Sequence, residues 1–218
     1  PEPAGILPAP LLFVDDAGQL ARLAVDGVTI TPLTSEAWSI NEFAVGPDGS
    51  LAYTTFLADE GVSLLVRIAA DGSGRTELAR GTLSGVTVAA DGSFQAGIFY
   101  GASRPAGPDL PPGVWSFPVS GEPILLVAAT EPLRSTDMVD SGTNYQPIAW
   151  SPDGRRLLLR AIVNFGPDGP GGDAGSVGLA LYDTADGQVE ELRPKGEEPL
   201  CFEPACSRDS AAIYCANG

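Results

Sequence analysis

The chain has 218 residues, 44% of them apolar and 18% charged, so it can bury the core of a sizeable globular domain and is not a disordered segment. Its formal net charge of −16, from 28 acidic against 12 basic residues, repels a phosphate backbone and sets nucleic acid aside as a partner. No apolar run approaches the roughly 20 residues of a membrane-spanning helix; Leu11–Val14 and residues 157–159 are far too short.

In chain order, Pro1-Glu2-Pro3-Ala4-Gly5 and Pro8-Ala9-Pro10 read as the end of a Pro-rich linker over residues 1–10, as in a mature or trimmed exported protein. From residue 11 onward short apolar runs alternate with turn signals. The turn Gly46-Pro47-Asp48-Gly49 returns as Ala89-Ala90-Asp91-Gly92, Ser151-Pro152-Asp153-Gly154 and Ser207-Arg208-Asp209-Ser210, with the aspartates 43, 62 and 56 residues apart. A second series runs out of phase: Val25-Asp26-Gly27, Ala70-Asp71-Gly72, Val119-Ser120-Gly121 and Ala185-Asp186-Gly187. Each repeat therefore holds four strands, A to D, joined by two hairpins and a variable loop.

The strands fall in order along the chain. A partial repeat at 11–34 supplies B, C and D, and repeats follow at 40–79, 85–128 and 145–193. In the first complete repeat, A is 40–45, B 51–56, C 62–68 and D 75–79. A second partial repeat, 201–215, ends after A and B. The spacing is near the roughly 40 to 50 residues of a propeller blade once two long insertions are allowed for. No segment carries apolar residues at i, i+3, i+4 and i+7 over three turns, and 27 Gly with 20 Pro break the chain too often for helices. The expected fold is all-β: a β-propeller of four-stranded antiparallel blades over 11–218, an incomplete ring with three full blades and two partial ones. A four-bladed ring, with residues 202–207 supplying the absent A strand beside Leu11–Val14, is the alternative.

Proline presets φ in these turns, aspartate bonds back to its own backbone, and glycine takes the left-handed conformation that follows. Asp48, Gly49, Asp91, Gly92, Asp153 and Gly154 are thus structural. On these residues Gln146-Pro147-Ile148-Ala149-Trp150-Ser151-Pro152-Asp153-Gly154-Arg155-Arg156-Leu157-Leu158-Leu159 resembles the repeat signature of TolB-like, WD-repeat-like propellers. The likeness is weaker at 86–99 and degraded at 205–214, where Arg208 and Ser210 replace Pro and Gly. The resemblance implies blades around a channel with the A strands innermost. It also implies a periplasmic or secreted interaction module, or the non-catalytic propeller that gates some serine peptidases; fold alone does not choose between them.

The absence of histidine excludes Ser-His-Asp and Cys-His arrangements, a His-ligated zinc and a His general base within these residues. Gly-x-Ser-x-Gly, Gly-x-x-x-x-Gly-Lys and Gly-x-Gly-x-x-Gly in a strand-to-helix setting are missing too. The pairs Asp15-Asp16, Glu190-Glu191 and Glu197-Glu198 point to opposite faces of a strand and read as solvated edges rather than glycosidase carboxylates. No catalytic residue, cofactor or metal ligand is expected.

Three enlarged connections, 100–112, 129–144 and 164–176, emerge on one face of the ring, where binding usually lives. They bring Arg104, Asp109, Arg134, Asp137, Asp140, Phe165, Asp168 and Asp173 to that face, with Trp115 and Tyr145 at their bases. The Gly-rich run 165–173 lacks the alternating aspartates of a calcium loop and reads as a solvent loop. Trp38, Trp115 and Trp150 offer an aromatic platform, although Trp150 stands where blades pack together. With the last hairpin regular about Asp209, Cys201 and Cys215 share a face and Cys206 points away, which makes Cys201–Cys215 the first choice of disulfide. Cys201–Cys206 and three free thiols are the competing arrangements.

The expectation is an extracytoplasmic, non-catalytic propeller that binds a protein or peptide through its loop-rich face. The alternatives are the gating propeller of a larger secreted enzyme and a carbohydrate- or Ca²⁺-binding propeller. Gly154→Val should lower stability by about 1 to 3 kcal/mol, because a β-branched residue is strained at positive φ. Chemical denaturation checks this, and a change within about 0.5 kcal/mol contradicts the turn assignment.

Overall fold

The aspartate turns close on their own side chains. In the computed structural model, which describes residues 6–99, 110–130, 133–134, 139–166, 174–193 and 203–216, Asp48 Oδ1 accepts from the Ser50 amide and hydroxyl at 3.0 and 2.6 Å. Asp91 does the same with Ser93. Asp153 accepts from the Ser151 hydroxyl and the Arg155 amide, and Asp209 from the Ser207 hydroxyl and the Ala211 amide. Gly49, Gly92 and Gly154 have φ of 81°, 84° and 70°, and Ser210 holds the same left-handed conformation at 59°. The side-chain bonds of Asp209 thus keep the turn where the glycine has been lost.

These turns join strands of five antiparallel sheets. β1 (Leu11–Val14), β2 (Leu20–Leu23) and β3 (Ile30–Pro32) form the first. β4 (Ile40–Val45), β5 (Leu51–Leu57), β6 (Val62–Ile68) and the first half of β7 (Thr76–Val88) form the second. The second half of β7 then opens the third with β8 (Phe94–Phe99), β9 (Gly113–Phe117) and β10 (Ile124–Ala128). The fourth joins β11 (Leu133–Arg134), β12 (Val139–Trp150), β13 (Arg156–Gly166), β14 (Ala174–Asp183) and β15 (Val189–Arg193). β16 (Glu203–Cys206) and β17 (Ile213–Ala216) pair alone. The D strand expected at 75–79 does not stop: β7 runs on into the next A strand, with a register shift between Ser84 and Val86 at Gly85.

Successive sheets stack face to face because each B strand is apolar on both sides, as a doubly covered strand must be. Leu51 and Tyr53 turn toward the first sheet and join Leu20, Leu33, Ile40 and Leu64. Ala52, one residue out of phase, turns the other way and meets Phe94, Ala96, Ile98 and Phe117. Val114 and Val127 pack on Leu157, Leu159 and Tyr182. Full burial of each large side chain contributes roughly 1.5 to 3 kcal/mol. Polar pins cross the same interfaces. Trp150 Nε1 donates to Gln95 Oε1 at 2.7 Å, and Gln95, wholly buried, donates in turn to Ser93 and Ser116. Between the first two sheets, Glu36 receives Tyr53 Oη–H at 2.5 Å and two nitrogens of Arg75.

The inner strands touch backbone to backbone. A β-carbon on Gly85 would run into the Pro147 carbonyl, and one on Gly97 would stand 2.5 Å from the Tyr145 carbonyl. Glycine is required at Gly85 twice over, since its φ is 72°.

Two of the three enlarged loops are strand in part. β12 begins at Val139, β13 continues to Gly166 and β14 resumes at Ala174, so 139–144, 161–166 and 174–178 extend the fourth sheet as a paired projection. Continuous pairing satisfies backbone groups that a loop would leave to water.

Gly154 has nothing within 4 Å of its missing side chain, whereas Gly85 faces a backbone carbonyl. Gly154→Ala should therefore lose about 1 to 2 kcal/mol of stability to left-handed strain, and Gly85→Ala at least about 1 kcal/mol more. Urea titration of the two variants side by side checks the difference.

Candidate functional site at the inner strands

Glu42, Gly85 and Pro147 each stand six residues ahead of their turn aspartates Asp48, Asp91 and Asp153. They are equivalent positions of three A strands, and the stacking of the sheets brings them together. Glu42 lies on β4, where Ala44, on the same side, packs toward the third sheet. The amides of Gly85 and Val86, at the bulge of β7, lie against its carboxylate. Gln146 of β12 covers Gly85, its Cγ 2.7 Å from where a β-carbon would stand. Arg160, reaching over from β13, donates to Gln146 Oε1 at 3.2 Å. Thr143 and Asn144, both buried, continue this polar wall along β12.

The electrostatics single out Glu42. Burial pushes its pKa above the usual glutamate range, and the Gly85 amide, the Arg160 charge and the Val86 amide oppose this without cancelling it. Its Oε2 is buried and has no hydrogen-bond partner among the described residues. Glu36 has the opposite fate: burial pushes it up, but hydrogen bonds from Arg75 and Tyr53 and the Arg75 charge outweigh burial and hold it below the ordinary value. Glu36 is a satisfied structural carboxylate and Glu42 is not. The turn aspartates Asp48, Asp91, Asp153 and Asp209 are all held low, chiefly by hydroxyl donors from Ser50, Ser93, Ser151 and Ser207.

The structure describes five of the ten anticipated site residues. Arg104, Asp109, Asp137, Asp168 and Asp173 lie outside the described residues. Arg134, Asp140 and Phe165 lie on strands rather than loops, and Asp140 pairs with Phe165 across β12 and β13. Trp115 is only 8% exposed, packs among Phe94, Ala96 and Phe117, and donates to the Pro111 carbonyl at 2.8 Å, so it is core and not part of a binding face. Tyr145 packs against the third core cluster. The aromatic platform is likewise divided: Trp150 joins that cluster while Trp38 is exposed.

The cysteines follow a different register from the regular one. Cys215 is disulfide-bonded, Cys206 carries a free thiol and Cys201 lies outside the described residues, which removes a Cys201–Cys206 pairing. Pro204 pairs with Cys215 and Cys206 with Ile213, so Cys206 and Cys215 share a face instead of opposing each other. The cause is the turn, in which the Ser207 amide reaches the Ala212 carbonyl, one residue further than in the Gly46-to-Ser50 turn.

Among the described residues no three His, Cys, Asp or Glu side chains converge as a metal site, and no helix is long and apolar enough to cross a membrane. Glu42 itself carries a signal that could have been found: a lone acid between Ile40 and Ala44 in an inward-facing strand. Its partners Gln146 and Arg160 come from another blade, and nothing in the spacing joins them.

This arrangement of sheets is that of a β-propeller. Solved structures that share it include TolB from Acinetobacter baumannii, 18% identical with a TM-score of 0.56, where 95% of this chain covers 46% of that one. Others are an oligogalacturonate lyase in complex with manganese (12%, TM-score 0.60, 96% of this chain and 57% of that one) and an auxiliary nutrient binding protein from Bacteroides ovatus (12%, TM-score 0.51, 92% and 42%). The fold is thus the TolB-like β-propeller, and the chain spans about half the length of these structures. No family model matches the sequence, and no curated protein matches it.

Glu42→Gln removes a charge whose burial outweighs the help of Gly85, Val86 and Arg160, and should raise stability at pH 7 by about 1 kcal/mol. Because the folded-state pKa is raised above 4.5, the penalty is full above that folded value and fades as pH falls toward the unfolded one. The gain of the variant should shrink along the same path, which melting temperatures from pH 7 to pH 4 check.

Proposed function

We propose that this chain is a non-catalytic binding module, a rigid propeller platform in an extracytoplasmic compartment that takes a protein or peptide partner. The observation that carries the reading is a buried carboxylate oxygen on the inner strands, Glu42 Oε2, that meets no hydrogen-bond donor among the described residues, in a chain without histidine. The projecting β12 to β14 sheet adds backbone-rich surface beside it. The disulfide at Cys215 supports an oxidising compartment, and the net charge of −16 favours a partner with basic groups.

A second reading, the substrate-gating propeller of a larger secreted enzyme, draws on the chain's coverage of about half of the lyase structure. An open reading frame continuing into a hydrolase or lyase domain would favour it.

The purified chain should capture a protein or peptide from an extracytoplasmic fraction of its own cells, saturably and reversibly, with affinity falling as salt rises. Calorimetry with the isolated partner checks this. Turnover of an ester, lactone or uronate substrate by the purified chain alone would overturn the non-catalytic reading.

A further inference from the structure

The carboxylate of Glu42 is kept where it is unfavourable to folding. Its Oε2 is buried and lacks a donor among the described residues. The Gly85 and Val86 amides, at the bulge of β7, donate to the carboxylate but leave this oxygen unmet. A glutamine or an apolar residue would fill the position at less expense, as Ala44 does on the same strand. A buried acceptor that the surrounding strands leave unmet points to a donor supplied from outside.

We propose that Glu42 anchors a site for a primary ammonium group, presented by the partner as a lysine side chain or a free amino terminus. An ammonium carries three N–H donors and no acceptor, which suits a site whose free capacity is acceptor capacity. Glu42 Oε2 takes one. Gln146 Oε1 receives Arg160 at 3.2 Å and, as a carbonyl oxygen, has a second lone pair for another. The bond from Arg160 fixes that carboxamide with its oxygen as acceptor. A divalent cation would need more carboxylates than this, and no cluster of three ligating side chains occurs among the described residues. The overall charge of −16 draws cations toward the molecule from any direction, so Glu42 has to supply only the last, short-range selection.

The inference rests on the binding-module reading and is tested separately from it. The 218-residue chain, labelled with ¹⁵N, is titrated with Nα-acetyl-lysine amide and with alanine amide while the Gly85 and Val86 amide signals are followed. Nα-acetyl-norleucine amide and methyl β-glucoside serve as uncharged counterparts. At least one ammonium probe should shift both signals saturably, and the tighter of the two identifies the source as side chain or amino terminus. Glu42→Gln should weaken that binding at least about tenfold. Glu190→Gln, which removes an equal charge from an exposed position, should leave it within about twofold. The variant's own folding is followed by its melting temperature, so a lost signal is not mistaken for a lost fold. No saturable shift with either ammonium, an equal response to an uncharged probe, or unchanged binding by Glu42→Gln would overturn the proposal. Partner capture that persists through such a failure leaves the module reading standing and removes only Glu42 from it.

Discussion

The carbonyl oxygen of Pro147 occupies the space in which Gly85 would carry a side chain, and the Tyr145 carbonyl does the same above Gly97. This close approach of inner strands governs how the third and fourth sheets meet. It lets β12 lie directly on β7 and β8, and so brings Val114 and Val127 against Leu157, Leu159 and Tyr182. A methyl group at Gly85 would wedge the sheets apart at their inner edge and expose that cluster. The hydrogen bond from Trp150 to Gln95 has the same dependence, since it spans the same interface.

The bulge that permits the approach also makes the site. Gly85 takes positive φ where the register of β7 slips between Ser84 and Val86, and the amides of Gly85 and Val86 lie against Glu42. Structural necessity in one blade thereby leaves a partly desolvated carboxylate beside the next. The contrast with Glu36 shows that the fold satisfies a buried carboxylate where only stability is at stake: Tyr53 and Arg75 close on it completely. Glu42 has received no such closure.

Charge is distributed in two ways over the molecule. The turn aspartates are tied to serine hydroxyls and backbone amides, which makes them fixed elements of the hairpins rather than available ligands. Their pKa values are lowered in the folded state, so the stability they contribute is present above the usual value of 3.8 and is lost as pH falls below it. Glu42 runs against this trend, stabilised by acid where they are weakened by it.

The repeat of Asp-Gly turns and the doubly apolar B strands were legible in the sequence, because turn chemistry and two-residue periodicity are local properties. From them followed the all-β propeller, its strand order and the positions of Gly49, Gly92 and Gly154. Part of the expected loops is sheet for a physical reason: 139–144, 164–166 and 174–176 read as loop, yet neighbouring strands were present to pair them. Trp115 moved from a supposed face into the core because the stacking of two sheets enclosed it, and one extra residue in the last turn placed Cys206 on the side of Cys215. Local sequence thus determined which segments are strands and how each hairpin turns. Which faces meet, and which polar groups are left without partners, depended on contacts between residues more than one hundred positions apart, as Glu42 and Arg160 are, and only the tertiary structure decided them.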